Sequence, residues 1–153
     1  MCGLLGMLAA TGDVDKYVDA LERSLPCMRH RGPDAAGTWH DGDAAFGFNR
    51  LSIIDLEHSH QPLRWGPEDQ PDRYAMTFNG EIYNYVELRE ELKGLGYTFH
   101  TEGDGEPIVV GYHHWGKDVV NHLRGMFGIV IWDTHTKTCL LYTSDAADDS
   151  LRV

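Results

Sequence analysis

Positive charge is scarce in this 153-residue chain. Thirteen lysines and arginines stand against 24 aspartates and glutamates, a formal net charge of −11 at pH 7. Such an acidic balance excludes an electrostatic grip on nucleic acid or on an anionic membrane surface. Long apolar runs are missing as well, and none approaches the roughly 20 residues of a membrane-spanning helix. The opening stretch "MCGLLGMLAATGDVD" lacks the basic start of a secretory signal and turns acidic at once, so the expected location is the cytoplasm. Cysteine is sparse and odd in number: Cys2, Cys27 and Cys139 are far apart, with no C-x-x-C pair. That excludes a disulfide framework and a zinc ribbon. The histidines of "HSH" and "HH" lack the H-E-x-x-H spacing of a helical zinc site, and no metal is expected.

What is present suits a single domain with its own core, at 42% apolar and 24% charged residues. "GLLGMLA" is a short apolar run, consistent with a buried strand. A helix is expected next, capped by Asp13 and burying Val14, Tyr17, Val18, Leu21, Leu25 and Met28, with Pro26 kinking or ending it. "GTWH" and "AAFGFNRLSIID" read as a hairpin around "DGD", and 58–73 as a long Pro-rich connection. "YAMTFN" reads as a strand. A second helix is expected from Asn84, capped by its side chain with Glu87 reaching back, and stopped by Gly94 and Gly96. A third opens at Pro107, "KDVVNHLRG" adds a short fourth, and "MFGIVIWD" turns through "THTK" into "TCLLY". Strands and helices mix without regular β-α alternation, which predicts an α+β fold in layers.

Several residues suggest chemistry, and each also has a plainer meaning. Removal of Met1 would give Cys2 both a thiol and a free α-amine, a nucleophile with its own base. Taken alone, Cys2 reads first as a small buried residue that starts a strand. Asn79 and Gly80 in "FNGEIYN" offer an amide donor and an unobstructed backbone N–H, as an oxyanion hole requires; Asn-Gly is also a common hairpin turn. Arg50, in an apolar strand-like stretch, could hold a carboxylate bidentately or lie on the surface. Asp104, between two glycines, could accept from an ammonium group or cap a helix. "RHRGPD" could bind an anion through Arg29 and Arg31 or order a loop.

Taken in order, "MCGLLG", "MRHRGPD", "NRLSIID", "QPL", "FNGEIYN", "GDGE" and "LRGMFGIVIWD" closely resemble the glutaminase domain of glutamine-dependent asparagine synthetases. That domain is a class II glutamine amidotransferase and an N-terminal-nucleophile hydrolase. The resemblance covers Met1 to about Lys137. It implies an αββα sandwich, two antiparallel sheets between helix layers. It also implies that Cys2 attacks the glutamine side-chain amide with its own amine as base, and that Asn79 and Gly80 form the oxyanion hole. Arg50 would clamp the α-carboxylate, and Asp104 with help from Glu81 would hold the α-amine. Backbone groups of Leu51, Ser52, Ile53 and Ile54 would line the pocket. Glutamine is the implied substrate, glutamate and ammonia the products, and no cofactor is implied for this domain. ATP and magnesium would serve only a C-terminal synthetase domain that the chain lacks. The full-length protein could be a homodimer.

Two stretches depart from the family. In "GDGEP" a glycine precedes the aspartate where serine or threonine is usual, and a proline follows the glutamate. After "IWDTHTKTC" the family continues differently. Residues 140–153, "LLYTSDAADDSLRV", read as a polar, acidic tail without strand periodicity, of artefactual origin, leaving a domain over 1–139 that is incomplete at its C-terminus. A non-catalytic fragment of the same family therefore stands as the alternative to an active glutaminase.

Overall fold

The computed structural model describes residues 2–9, 12–55 and 58–144. Two antiparallel sheets stack with helices on their outer faces. The first contains β1 (Gly3–Leu8), β2 (Ala35–His40) and β3 (Ala44–Arg50), in the order β1-β3-β2. The second contains β4 (Leu63–Trp65), β5 (Tyr74–Ile82), β6 (Gly125–Asp133) and β7 (Thr138–Thr143), in sequence order. Helix α1 (Val18–Ser24) covers the first sheet; α2 (Tyr85–Gly94) and α3 (Glu106–Trp115) cover the second. This is the layered αββα sandwich that the resemblance implies.

Side-chain alternation along the central strands builds these layers. In β3, Ala44 and Phe46 face the second sheet and meet Ala75 and Trp132. Ala45 faces the other way, against Val14 and Leu21. In β5 and β6, Tyr74, Met76, Phe78, Phe127, Ile129 and Ile131 form the large core with Leu88, Leu92, Ile108 and Val109 of the two helices. Both faces of these strands are covered, so the strands read as near-continuous apolar runs. The sheets are also fastened at one end. Trp132 Nε1 donates to Asp41 at 2.8 Å, and Lys137 bridges Asp41 and Asp43 at 3.2 and 2.8 Å.

Several local expectations are corrected. Asp13 caps nothing and has a φ of 114°; a 3-10 turn at Asp15–Tyr17 precedes α1, and another at Leu25–Met28 follows it. Tyr17 is largely exposed, while Val14, Leu21 and Leu25 are buried. The third strand stops at Arg50, so "LSIID" is loop. Within the connection expected over 58–73, Leu63–Trp65 forms β4, because its edge pairs with Tyr74–Met76. Asn84 sits at the helix start without capping it. Its amide instead donates to His122 O and accepts from Arg124 N–H, both at 2.9 Å. The expected fourth helix is a 3-10 segment, Gly116–Asn121. Residues 140–143, expected to lack strand character, complete β7 by pairing with Gly128–Ile131 of β6. The rest of the expected tail, 145–153, lies outside the described residues.

One buried ion pair anchors the second sheet. Arg73 reaches Asp133 through Nη2 at 2.7 Å and through Nε, and Asp133 also accepts from the N–H groups of His135 and Thr136. Burial pushes this carboxyl up, but the bonds from Arg73 and the turn outweigh it and hold it at about 2. Asp133→Asn is expected to destabilise the fold by about 3 kcal/mol near neutral pH, since it leaves Arg73 unpaired. Because the folded value is depressed, this contribution is present above the ordinary carboxyl value of 3.8 and is lost as pH falls towards 2. Urea melts of both proteins between pH 7 and pH 2 should converge at the acid end; a constant gap would refute the assignment.

Candidate active site

The site lies where β1 of the first sheet meets β5 of the second. Gly3 pairs with Asn49, which sets Cys2 beside the end of β3. There the Cys2 sulfur accepts from Leu51 N–H at 3.3 Å and faces Leu51 O at 3.7 Å. Arg31 Nε donates to the carbonyl of Cys2 at 3.1 Å. The "RHRGPD" segment thus orders the chain around the thiol. Gly32 allows this approach, because a Cβ there would lie 2.2 Å from Asn49 O.

Beyond Cys2 opens a cavity of about 180 Å³. Arg50, Leu51, Ile53 and Ile54 line it together with Asn79, Gly80, Glu81 and Asp104. Arg50 is buried, with its guanidinium turned over its own loop: Nη2 donates to the carbonyls of Ile54 and Asp55 at 3.1 and 2.5 Å. Ser52, expected with its neighbours, does not line the cavity; its N–H points outward to Asp34 Oδ2 at 2.8 Å. Cys2, Arg50, Asn79, Gly80, Glu81 and Asp104 come together here, whereas Arg29 and Arg31 do not line the cavity.

The edge of β5 explains the arrangement around Asn79 and Gly80. Backbone groups of a strand face the same edge every second residue. Phe78 turns its N–H and C=O towards the β4 side, where both bond the side-chain amide of Gln61, at 2.6 and 3.0 Å. Four residues on, Ile82 N–H donates to Asp104 Oδ2 at 3.1 Å. Gly80 is the residue between them on that edge, and it faces the cavity. Its φ is 146°, and a Cβ would sit 2.0 Å from Met126 O, so only glycine fits. Asn79–Gly80 is therefore strand and not a hairpin turn. The Oδ1 of Asn79 is buried without a hydrogen-bond partner among the described residues, an orphan acceptor beside the cavity.

The lining carries charge of both signs: Arg50 supplies a cation, and Asp104 and Glu81 supply carboxyls. Burial, and then the neighbouring Glu81, push the Asp104 carboxyl above its ordinary 3.8. A ligand cation would relieve both effects, so the group is set to gain from an ammonium partner. Asp104 does not cap α3, whose N-cap is Gly105.

Sequence reasoning missed the residues that hold this loop. Arg89 of α2 is buried and donates to Thr101 O and to Gly103 O at 2.7 Å. Glu106 of α3 is buried too and accepts from the N–H groups of His100 and Thr101. A charged residue beside Leu88 on the apolar face of a helix, and another at the head of "PIVV", were the available signals. Gln61, within the quoted "QPL", was the third.

An asparagine synthetase 1 of Bacillus subtilis is 44% identical over 138 residues, 87% of this chain and 21% of its own length. A Mycobacterium tuberculosis protein, named provisionally as a glutamine-hydrolysing asparagine synthetase, is 56% identical over 148 residues, 90% of this chain and 23% of its own. The chain thus spans about a quarter of the length of these curated relatives. Among solved structures, the glutamine phosphoribosylpyrophosphate amidotransferase of B. subtilis superposes with a TM-score of 0.70 at 18% identity, over 96% of this chain and 38% of that one. At that identity the likeness speaks for the fold alone. The glutamine amidotransferase domain family matches residues 1–146. By this match and by its sandwich fold, the chain belongs to the glutamine amidotransferase domain family.

Proposed function

We propose that this chain hydrolyses the side-chain amide of glutamine to glutamate and ammonia, with Cys2 as nucleophile. The observation that carries this reading is the cavity in which Cys2, Arg50, Asn79, Gly80 and Asp104 meet. Met1 leaves first. The freed α-amine of Cys2 then takes the thiol proton. The sulfur attacks the amide carbon, and the developing oxyanion is met by the Asn79 amide and the Gly80 N–H. Collapse breaks the C–N bond, and the Cys2 ammonium protonates the departing nitrogen to give ammonia. Water, deprotonated by the same amine, adds to the γ-glutamyl thioester; the C–S bond breaks, releasing glutamate and restoring the thiol.

Arg50 holds the α-carboxylate. Asp104, with Glu81, holds the α-ammonium. Leu51, Ile53 and Ile54 close the apolar wall along the side chain. This domain uses no cofactor. Its likeness to asparagine synthetases supports a role as the ammonia-supplying part of such an enzyme in the cytoplasm, where a synthetase domain requiring ATP and magnesium consumes the ammonia. A homodimer of the whole protein belongs to the same reading.

The test combines intact-mass measurement with a glutaminase assay. The active form should be lighter by one methionine, and hydroxylamine should divert product to γ-glutamyl hydroxamate by intercepting the thioester. Activity in a Met1-retaining form would overturn the mechanism. A processed, soluble chain that leaves glutamine untouched would favour the non-catalytic alternative.

A further inference from the structure

We propose that Asp55 is a positioning residue that sets the distance between Arg50 and Asp104, and with it the preference for a ligand carrying both an α-carboxylate and an α-ammonium group. This rests on the reading above, which uses Arg50 and Asp104 as the two ends of the grip. Asp55 does not line the cavity. It lies behind it, with its side chain 6% exposed, and bonds the loops on both sides.

Its main chain serves the Arg50 end: the Asp55 carbonyl accepts from Arg50 Nη2 at 2.5 Å, next to the carbonyl of Ile54. Its side chain serves the Asp104 end: Oδ2 accepts from Glu102 N–H at 2.9 Å, two residues before Asp104. The backbone has a φ of 46°, a left-handed turn that aspartate tolerates better than most residues. That turn lets one residue address both loops. Gly103, between Glu102 and Asp104, is held by Arg89 and lets Ser59 approach, since a Cβ there would lie 2.0 Å from Ser59 Oγ. Ser59 Oγ in turn donates to Asp55 Oδ2 at 3.2 Å.

The site requires a carboxylate. Oδ1 accepts from His58 N–H and faces His58 Nδ1, both at 3.1 Å, while Oδ2 accepts from Ser59 and Glu102. Both oxygens must be acceptors. Asparagine would place an NH2 against either the Glu102 N–H or the His58 N–H, so one anchor is lost whichever way the amide turns. Burial pushes the Asp55 carboxyl up, but the bonds from Glu102, His58 and Ser59 hold it at about 2, so it stays ionised near neutral pH. The asparagine substitution keeps the carbonyl that holds Arg50. Either the Glu102 anchor or the His58 turn that aims the side chain at it is loosened, so the damage should fall on the Asp104 end.

The experiment measures alkylation of Cys2 by iodoacetamide in the full chain, alone and with glutamine or with its analogue lacking the α-amino group. In the wild type, glutamine should protect at least tenfold better than the analogue. In Asp55→Asn, protection by glutamine should weaken ten- to a hundredfold, protection by the analogue should change less than threefold, and unprotected Cys2 should react within twofold of wild type. An unchanged preference, or equal weakening towards both compounds with altered Cys2 reactivity, overturns the proposal; the latter marks Asp55 as merely structural. If Asp55→Asn fails to fold by circular dichroism, Ser59→Ala takes its place with an expected two- to fivefold loss of preference, and no loss is equally fatal. Wild-type protein unprotected by glutamine would instead sink the glutaminase reading itself.

Discussion

Cys2→Ala is expected to lower glutamine hydrolysis by at least about four orders of magnitude while leaving the fold intact. The thiol is the only nucleophile proposed for the reaction. Its structural role is small. Among the described residues the sulfur's hydrogen bonds are to the backbone of Leu51, at 3.3 and 3.7 Å, and the residue is half-buried at the head of β1. Stability should therefore change by less than about 1 kcal/mol. Alanine is also small enough at the second position for Met1 to be removed, so processing is not disturbed. Arg50, Asn79, Gly80 and Asp104 remain in place, and calorimetry should still detect glutamine binding to the variant. Ammonia release within tenfold of wild type would refute Cys2 as nucleophile. Loss of binding together with activity would mean that the cavity needs the thiol to keep its shape.

Gly80→Ala should be severely damaging, costing about 3 kcal/mol or more and abolishing hydrolysis in whatever remains folded. The added Cβ would meet Met126 O at 2.0 Å and Phe127 Cα at 2.6 Å, both backbone atoms of a paired strand that cannot step aside. The φ of 146° adds strain for any L side chain. Relief would require β5 to move away from β6, carrying Asn79 out of line with Cys2. Gly94 makes a useful contrast. It ends α2 with open space around it, so Gly94→Ala should be neutral or stabilise by up to about 1 kcal/mol. Comparable melting temperatures for the two variants would show that the close pairing of β5 and β6 is not the constraint.

Legibility of the sequence followed the range of the physics. The apolar runs at Tyr74–Phe78 and Gly125–Asp133 announce strands because most of their residues are covered, and α2 announces itself by its glycine stop. The strand at Leu63–Trp65 was invisible. Three residues carry no period, and only their pairing with Tyr74–Met76 makes them a strand. Asn84 has the composition of a helix cap, yet its side chain is better satisfied by the 122–124 segment, a partner nearly forty positions away. The same holds for Leu140–Thr143, whose extended conformation depends on the edge that β6 offers.

At the candidate site the division is similar. The residue types at Cys2, Arg50, Asn79, Gly80 and Asp104 were readable in the chain because nucleophile, clamp and oxyanion donors are matters of functional group, and motif order supplied the rest. Their distances were not readable, because no local rule relates Cys2 to Asp104. The sequence by itself determined the inventory of reactive groups, the acidic surface and the apolar strands that must be buried. Only the tertiary structure decided that Gln61 and Asp104 flank Gly80 on one strand edge, that Ser52 turns away, and that Asp55 joins the two binding loops. Each of these depends on hydrogen-bond partners brought close by sheet stacking, and burial makes leaving such groups unpaired too costly for the chain to do otherwise.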